Sequence, residues 1–536
     1  MGKFGARDFD TSAALAAMVK GASTVQDGSD LGQGTYTERP QLSSYLAEGY
    51  IPNTQESDLS PEDNGASETL EYAGADFAIA QFAGDLGRAT TASTYLQRSQ
   101  NWTNLFNTAT GYIQPRDGSG QFPEFGPTTD GLGGFGQSGF QEGNAAQYTW
   151  MVPQDLQGLI TAMGGDAAAN SRLDDFFTQL NAGPNEPYEW AGNEPAFGTP
   201  WIYDYTGAPA KSQAVVHELL DTVYADSPGG EPGNDDLGSM SSWFVWSSLG
   251  MFPETPGTSV LALGAPIFPL VQFDLADGHH LVLHADGAST STYVSGLKVD
   301  GKSWSQTWLP GSALTGVGSG EGAGYGASTQ GASTGRPAAT TRLDFALSTS
   351  AAQTWGTAAA DAPPSYPAGT LQFPPGREPT ILVPTGANLL GDTPTGRLTW
   401  QGPVENGVGS VPGTLTPTTT SAGASAVEWT EADAGPNTWI WVDPPTELPA
   451  GQYYQAQITL QGTGDVYIDF WNGEQDLVSG TITLTGSPQT LTVQGQVPDA
   501  AATHLQVRTA DDGPVDLYAS GATIQQLTPE QSGSTG

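Results

Sequence analysis

The stretch Gly233-Asn234-Asp235-Asp236-Leu237-Gly238-Ser239-Met240-Ser241-Ser242-Trp243 joins an acidic loop to a predicted helix. Apolar residues follow at helical spacing, namely Met240, Trp243, Phe244, Val245, Trp246 and Leu249. Free backbone N–H groups and the positive end of the dipole favour an ionised carboxylate at a helix N-terminus. Asp235 and Asp236 therefore either cap this helix or are held there to activate water or bind a cation.

Two similar acidic junctions lie upstream in the helical part of the chain. Glu142 precedes a helix rich in aromatic residues, and Asn193-Glu194-Pro195 lies between Trp190 and Trp201. Carboxylates among aromatic rings suit a glycosidase, in which one carboxyl group stays protonated as the acid and another stays ionised as the base. Such oxygen ligands also suit calcium. No Ser-His-Asp arrangement or phosphate-binding loop is evident.

Composition narrows the class of protein and its partners. A chain of 536 residues predicts two or three domains. With 16 Lys+Arg against 57 Asp+Glu, the net charge is −41, which argues against nucleic acids and anionic membranes as partners. The absence of cysteine excludes disulfides, thiolate metal sites and cysteine nucleophiles. Neutral sugars or cations are the expected ligands.

Two observations concern the location of the protein. No apolar run reaches the length of a membrane span. Residues 1–10 lack the apolar core of a signal peptide. The acidic composition and the glycan chemistry nevertheless favour a secreted or cell-surface protein.

The hydrophobic pattern predicts a multidomain α + β chain. Residues 1–257 are predicted to form part of a six-hairpin α/α barrel, or toroid, with helices at 67–86, 90–106, 144–163, 171–180, 212–224 and 237–249. Residues 258–366 are predicted to form strands packed on the barrel, interrupted by a Gly/Ser/Thr-rich insertion at 311–340. A proline-rich linker at 367–379 leads to a β-sandwich at 380–530.

The predicted sandwich carries aromatic residues that could either stack on sugar rings or fill its core. They are Trp439, Trp441, Tyr453, Tyr454, Phe470 and Trp471. For any single one of them, packing in the core is the favoured interpretation.

At its acidic junctions the chain resembles glycoside hydrolase family 92, the calcium-dependent exo-α-mannosidases that invert anomeric configuration. The resemblance runs over about residues 6–366, from Arg7-Asp8-Phe9-Asp10 through the segments 67–81, 142–155, 192–205 and 233–250. It implies that Glu142 is the general acid and that Asp236, with Asp235 beside it, is the general base. It also implies a calcium-binding loop at Asn193 and Glu194, with the metal touching the sugar hydroxyls. The implied substrate is terminal α-linked mannose on N-glycans or mannan.

The resemblance also suggests walls for the sugar subsites and shows departures from the family pattern. Trp150, Trp190, Trp201 and Trp243 are candidate walls, although core packing is an equally good interpretation of each. Gln154 stands where the family often has His, Ala196-Phe197 where many members have Ser-His, and Asn234 where some have Asp. These changes put the linkage preference in question.

The family's N-terminal β-sandwich and first barrel helices have no counterpart before Arg7. About six helical segments amount to half of a barrel, which would leave apolar faces uncovered. This leads to the expectation that the chain is a truncated product, an incomplete prediction or one subunit of a split enzyme, with an N-terminal segment or subunit missing. The alternatives to a mannosidase are a non-catalytic carbohydrate-binding or remnant protein and a barrel hydrolase with another glycan substrate.

Overall fold

The computed structural model divides the chain into two compact units. The first comprises residues 1–122, 145–182 and 187–377, and the second comprises 123–144, 183–186 and 378–536. Within them the structure describes residues 3, 9–25, 38–53, 64–124, 126–128, 132–133, 135–274, 279–311, 313, 340–385, 387–390, 401–405, 414–419, 425–434, 438–471, 476–478, 482–497, 503–510 and 513–530. Most of the predicted insertion at 311–340 lies outside the described residues.

The described helices all belong to the first unit. They are α1 (Thr11–Gly21), α2 (Leu42–Glu48), α3 (Gly65–Asp85), α4 (Ala89–Arg98), α5 (Ala145–Tyr148), α6 (Leu156–Ala162), α7 (Asp166–Phe176), α8 (Pro209–Thr222) and α9 (Ser239–Ser248). Short 3-10 turns occur at Asn101–Leu105, Glu194–Ala196, Thr199–Asp204 and Ala359–Asp361. No helix in the described ranges has both the length and the apolar character needed to cross a membrane.

The ends of two predicted helices differ from the structure. Helix α3 begins after Asn64, and Ser67, where the predicted helix begins, lies inside the first turn with its hydroxyl donating to the Asn64 carbonyl at 3.0 Å. The helix predicted over 144–163 is split into α5 and α6, because Pro153 cannot continue an α-helical hydrogen-bond ladder. Asp155 then caps α6 by accepting from the Gly158 N–H at 3.2 Å.

Helix α3 is tied to its neighbours by a buried ionic contact as well as by apolar packing. Asp76, with no exposed surface, lies 2.9 Å from the Arg39 guanidinium and 2.8 Å from that of Arg98. The Tyr45 hydroxyl donates to the same carboxylate at 3.1 Å. Burial raises the pKa of Asp76, while the two guanidinium groups act in the opposite direction.

Strands of the first unit form small sheets around and after the helices. Two hairpin strands, β1 (Phe106–Asn107) and β2 (Tyr112–Ile113), pair with each other, whereas β3 (Leu132–Gly133) and β4 (Gly136–Gln137) pair within the second unit. Further strands are β5 (Met251–Phe252), β6 (Val260–Leu263), β7 (Leu270–Asp274), β8 (His280–His284), β9 (Tyr293–Val299), β10 (Lys302–Trp304), β11 (Trp308–Pro310) and β12 (Thr340–Ser348). They form sheets ordered β11-β6-β5 and β10-β9-β12-β8-β7, with β12 parallel to β8.

The second unit contains a two-sheet β structure. Its further strands are β13 (Leu382–Thr385), β14 (Gln401–Glu405), β15 (Thr414–Thr419), β16 (Ser425–Ala434), β17 (Thr438–Val442), β18 (Gln452–Thr463), β19 (Asp465–Trp471), β20 (Asp476–Val478), β21 (Ile482–Thr483), β22 (Gln489–Val497), β23 (His504–Thr509) and β24 (Gly513–Pro529). One sheet has the order β15-β16-β24-β18-β22, and the other has the order β14-β17-β23-β19-β20. Alternate residues of both sheets, including Trp429, Tyr454 and Phe470, fill a common core. Tyr454 and Phe470 are therefore core residues rather than exposed aromatic residues.

The first unit also buries a pair of acidic side chains. Asp204 is 0% exposed and Glu254 is 5% exposed. Among the described residues, the two carboxylate oxygens of Asp204 have no hydrogen-bond partner, and Oε2 of Glu254 has none either. Burial raises the pKa of both groups well above the ordinary values, and the charge of Glu254 raises that of Asp204 further.

Because of this buried pair, we expect the free energy of unfolding to depend on pH. A raised pKa means that the folded state binds protons more readily than the unfolded state, whose carboxyl groups titrate near pH ~4. The stabilisation is thus complete at low pH and is lost as pH rises through the raised pKa values. Replacing Glu254 with Gln should raise the melting temperature at alkaline pH by about 2–4 °C for each kcal/mol recovered, and by less at mildly acidic pH.

Thermal melts at both pH values, followed by circular dichroism, measure this effect. Glu218→Gln, on the exposed side of α8, is the matched control and should leave the melting temperature unchanged. An equal shift of the Glu254→Gln variant at both pH values would show that charge burial is not the cause.

Candidate active site

The two carboxylates of the Asp235-Asp236 loop have different environments. Oδ1 of Asp235 accepts hydrogen bonds from the backbone N–H of Ser241 at 3.0 Å and from its hydroxyl at 2.6 Å. These bonds, the hydroxyl first and the N–H second, lower the pKa of Asp235. Ser241 lies in the first turn of α9, whose N-cap position is Gly238, so the Asp235 side chain caps that turn from outside the helix.

Asp236 is presented to solvent on a left-handed turn. Its φ is 46°, followed by 59° at Leu237 and 91° at Gly238. Its side chain is exposed and makes no hydrogen bond within the part of the chain that the structure describes. Left-handed backbone at a residue other than glycine stores strain and is concentrated at functional sites.

A close glycine contact joins this loop to the segment that carries Asn193 and Glu194. A Cβ atom built at Gly233 would lie 2.2 Å from the carbonyl oxygen of Gly192, and one at Gly192 would lie 2.6 Å from the oxygen of Pro232. Asn181 bridges the same two segments, donating to the Pro232 carbonyl and accepting from the Gly192 N–H, both at 3.2 Å. Only glycine permits this approach of two backbones.

A second contact lies on the other side of this junction. The indole N–H of Trp243, in α9, donates to the carbonyl of Phe197 at 3.0 Å. The predicted base loop and the predicted calcium loop, which are about forty residues apart in sequence, are therefore neighbours in the first unit.

Glu71 is a further acidic residue of this region that sequence reasoning missed. It lies in the second turn of α3 between buried Leu70 and Tyr72. Its pKa is raised, mainly because protein surrounds it and also because Glu194 is a nearby like charge. The side chain is nonetheless solvent-accessible, a combination typical of a carboxylate in a cleft. The signal in the sequence was an acidic residue between two core residues of a helix.

The oxygen donors here are of the kind that calcium requires. Asn193 is buried, whereas Glu194 and Glu71 are exposed, so an amide oxygen and two carboxylates are available. Across the described ranges, no group of three or more Asp, Glu, His or Cys side chains is placed to hold a metal ion. A calcium ion bound by these side chains would have to take further ligands from water or substrate.

Glu142 belongs to the second unit, whereas the other predicted site residues belong to the first. Like Asp236, it has a left-handed backbone, with φ 48°, and an exposed side chain. The amide of Gln141 donates to its Oε1 at 3.3 Å. Asn144 anchors this turn by donating to the carbonyls of Pro184 and Glu186 at 2.8 and 2.9 Å. Of the described residues, only five other than glycine have positive φ, and Glu142 and Asp236 are two of them.

Three of the four predicted subsite tryptophans pack in the interior. Trp150, Trp201 and Trp243 are 3%, 0% and 4% exposed. Trp201 stacks on Phe252 with ring centroids 5.7 Å apart, and Trp243 stacks on Tyr224 at 5.6 Å. A fully enclosed ring such as that of Trp201 has no free face for a sugar, so Trp201 is a core residue in this structure. Trp190 is half-buried and retains an accessible surface.

One departure from the family pattern is also an interior position. Gln154 is 1% exposed, and its amide donates to the carbonyl of Ser99 at 3.0 Å. This glutamine therefore contributes to packing and hydrogen bonding within the first unit, and a direct contact with a sugar is not its role in this structure.

Comparisons with known proteins identify the family of the first part of the chain. The family model of the glycosyl hydrolase family 92 catalytic domain matches residues 2–319. An uncharacterised secreted glycosidase of Arthroderma benhamiae is 27% identical over 300 residues, which are 51% of this chain and 37% of that protein.

Two solved structures from Bacteroides thetaiotaomicron are similar. The family GH92 α-mannosidase BT3965 is 27% identical with a TM-score of 0.54, and the match covers 67% of this chain and 42% of that one. The family GH92 inverting mannosidase BT2199 is 26% identical with a TM-score of 0.54, over 68% of this chain and 46% of that one. The chain thus spans less than half the length of these relatives. The match of the catalytic-domain model over more than half of its residues shows that this chain belongs to glycosyl hydrolase family 92.

Proposed function

We propose that the chain is the catalytic part of a calcium-dependent, inverting exo-α-mannosidase that releases terminal α-linked mannose from N-glycans or mannan. The observation that carries the proposal is the Gly192–Gly233 contact, which sets the Asn193-Glu194 loop beside the Asp235-Asp236 loop. Family membership and similarity to an enzyme described as an inverting mannosidase support the reaction type. A partial α/α barrel remains the proposed architecture of the helical part.

In the proposed reaction, Asp236 is the general base. Its carboxylate takes a proton from a water molecule, the water oxygen bonds to the anomeric carbon, and the glycosidic C–O bond breaks. Glu142, as general acid, gives its proton to the departing oxygen. Inversion requires the two carboxyl groups to stand roughly 6.5–9.5 Å apart, with the water between the base and the sugar.

The exposed carboxylate of Asp236 fits the role of general base, whereas the hydrogen bonds of Asp235 fit a structural role. A base needs a carboxylate that is free to meet a water molecule. Asp235 already uses Oδ1 to cap α9, so its proposed contribution is to hold the turn that presents Asp236.

Asn193 and Glu194, with Glu71 beside them, are the residues proposed to hold calcium. When bound, the ion would contact sugar hydroxyls, as the family resemblance implies. The like-charge effect of Glu194 on Glu71 supports a cation there, because a cation would relieve the repulsion between these two carboxylates. Trp190 is the remaining candidate for a subsite wall, and the similarity to a secreted glycosidase supports a secreted or cell-surface location.

Release of mannose from an α-1,2-linked mannobiose tests the proposal directly. We expect purified chain to release mannose with calcium, to lose activity with EDTA and to regain it on addition of calcium. Glu142→Gln should abolish release in the presence of calcium, because the amide cannot protonate the leaving oxygen. Glu218→Gln, the same substitution at an exposed position of α8, serves as the control and should leave release unchanged. If the folded chain releases no mannose, this chain does not suffice as the enzyme.

A further inference from the structure

The outer face of one sheet in the second unit has the composition of a ligand-binding surface. Strands β17, β23 and β19 are neighbours in that sheet. Their inward residues, including Ile440, Val507 and Ile468, lie in the core between the two sheets. The alternate residues therefore point away from the core. We call this surface the aromatic face and define it by Trp439, Trp441, Tyr467, Asp469, Trp471, His504, Gln506 and Arg508.

The strand register sets these side chains in rows across the sheet. Trp439 is opposite Arg508, and Arg508 is opposite Tyr467. In the next row Trp441 is opposite Gln506, and Gln506 is opposite Asp469. His504 is opposite Trp471 in the third row. Since neighbouring strands are about 4.8 Å apart, the rings of β17 and β19 flank a polar strip formed by β23.

Two polar side chains of the aromatic face, one on β19 and one on β23, are buried although they do not face the core. Asp469 is 0% exposed and Gln506 is 3% exposed. The guanidinium of Arg508 lies 2.8 Å from Oδ2 of Asp469, and its Nε donates to Oε1 of Gln506 at 2.7 Å. The same guanidinium lies 4.9 Å from the centre of the Trp439 ring. Trp439, Trp441, Tyr467 and Trp471 remain half-buried, so solvent reaches them.

The ion pair of Arg508 with the buried carboxylate of Asp469 is costly as a purely structural feature. Removing an ion pair from water carries a desolvation penalty that the pair's own attraction often does not offset. Valine or threonine would complete the outer face of a sheet without that penalty. The arrangement is instead that of a binding site, where aromatic walls supply area and a few fixed polar groups supply orientation.

We propose that the aromatic face is a carbohydrate-binding site for a neutral polysaccharide chain, separate from the catalytic residues. The flat rings offer faces on which the apolar side of a sugar ring can stack. Arg508, whose side chain stays partly exposed, can donate to hydroxyl groups, and buried Asp469 and Gln506 hold its guanidinium in place. Nucleobases also stack on such rings, but a protein with a net charge of −41 repels polyphosphates. The same charge disfavours acidic polysaccharides.

This site is independent of the proposed hydrolysis, because it shares no residue with the proposed acid, base or calcium loop. Its binding should persist in EDTA and in the Glu142→Gln variant. Polysaccharide binding can therefore be tested even if the chain has no mannosidase activity. Absence of polysaccharide binding would likewise not contradict the proposed mannosidase activity.

The test is affinity electrophoresis of the full chain in native gels containing yeast mannan, soluble β-1,4-xylan or hydroxyethylcellulose, all with EDTA. We expect at least one of these polysaccharides to retard the chain. Trp441→Ala and Trp471→Ala should each weaken binding about tenfold. Trp441→Tyr keeps an aromatic ring and should retain most of the binding. Comparison with Trp441→Ala shows whether the loss of binding in the alanine variant comes from the loss of ring stacking.

Tyr518→Ala is the matched control. Tyr518 is 44% exposed on β24, in the other sheet of the same unit, and its hydroxyl donates to Glu428 at 2.9 Å. Its replacement should leave retardation unchanged. The proposal is overturned if none of the three polysaccharides retards the chain, if folded alanine variants bind as the parent does, or if polygalacturonate is bound in preference to the neutral chains.

Discussion

Replacement of Asp236 by Asn is expected to lower the rate of mannose release by about 10²–10⁴-fold, the usual contribution of a general base. The substitution keeps the size of the side chain and tolerates the left-handed backbone, because Asn adopts positive φ more readily than most residues. It removes only the ability to take a proton from water. The loss should therefore fall on kcat, with little change in KM or in melting temperature.

Asp235→Asn is the matched control because the two residues are adjacent and differ in what they contact. Asn at this position can still accept the two hydrogen bonds from Ser241, so the cap of α9 survives. We expect a much smaller loss of rate. Steady-state rates on α-1,2-mannobiose with calcium measure both variants. A larger loss in Asp235→Asn than in Asp236→Asn would reverse the assigned roles.

The sequence alone predicted which parts of the chain contain strands, whereas it predicted the helix ends less well. Strands such as Val260–Leu263, His280–His284, Asp465–Trp471 and His504–Thr509 lie in the regions predicted to be β, because short apolar or alternating runs indicate strands. Helix ends depend on which side chain caps the backbone, and both Ser67 and Asn64 are acceptable caps by type. In the structure Asn64 is the residue before α3, and its side chain makes no capping hydrogen bond to the helix.

The candidate site was only partly visible in the sequence. Glu142, Asp235 and Asp236 were predicted as site residues because they lie at loop-to-helix junctions. Their spacing did not show which of the two aspartates binds the helix and which has an exposed carboxylate. That distinction rests on backbone angles and on the position of Ser241. Glu71 was missed because an acidic residue in a helix normally marks a solvated face, and only the approach of Glu194 shows otherwise.

Long-range contacts were the least predictable feature. The helical domain was predicted to be continuous over 1–257, yet residues 123–144 group with the second unit. The hydrogen bond from the Thr380 N–H to the Glu124 carbonyl, at 2.8 Å, is one contact that ties this segment to the C-terminal strands. Such pairing between segments about 250 residues apart leaves no periodic signal in either one.

Gly233→Ala should impair catalysis without removing any reacting group. The added Cβ would meet backbone atoms of Gly192, at 2.2 Å from O, 2.8 Å from Cα and 2.9 Å from C. Backbone cannot turn aside as a flexible side chain can, so the two loops must separate. A displacement of about 1 Å at a catalytic residue can reduce the rate about 10²-fold. We expect a loss of that size in kcat/KM on α-1,2-mannobiose, together with weaker calcium binding measured by calorimetry.

A control and a second variant separate this effect from a general disturbance of the loop. A Cβ at Gly229, four residues earlier, would meet nothing within 4 Å, so Gly229→Ala should behave as the parent. Gly192→Ala disrupts the same contact from the other segment, because its Cβ would lie 2.6 Å from the Pro232 oxygen. Because both substitutions separate the same two loops, the double variant should lose little more activity than either single one. Additive losses, or normal activity in Gly233→Ala, would mean that the apposition of these loops does not position Asp236 and Glu194 for the reaction.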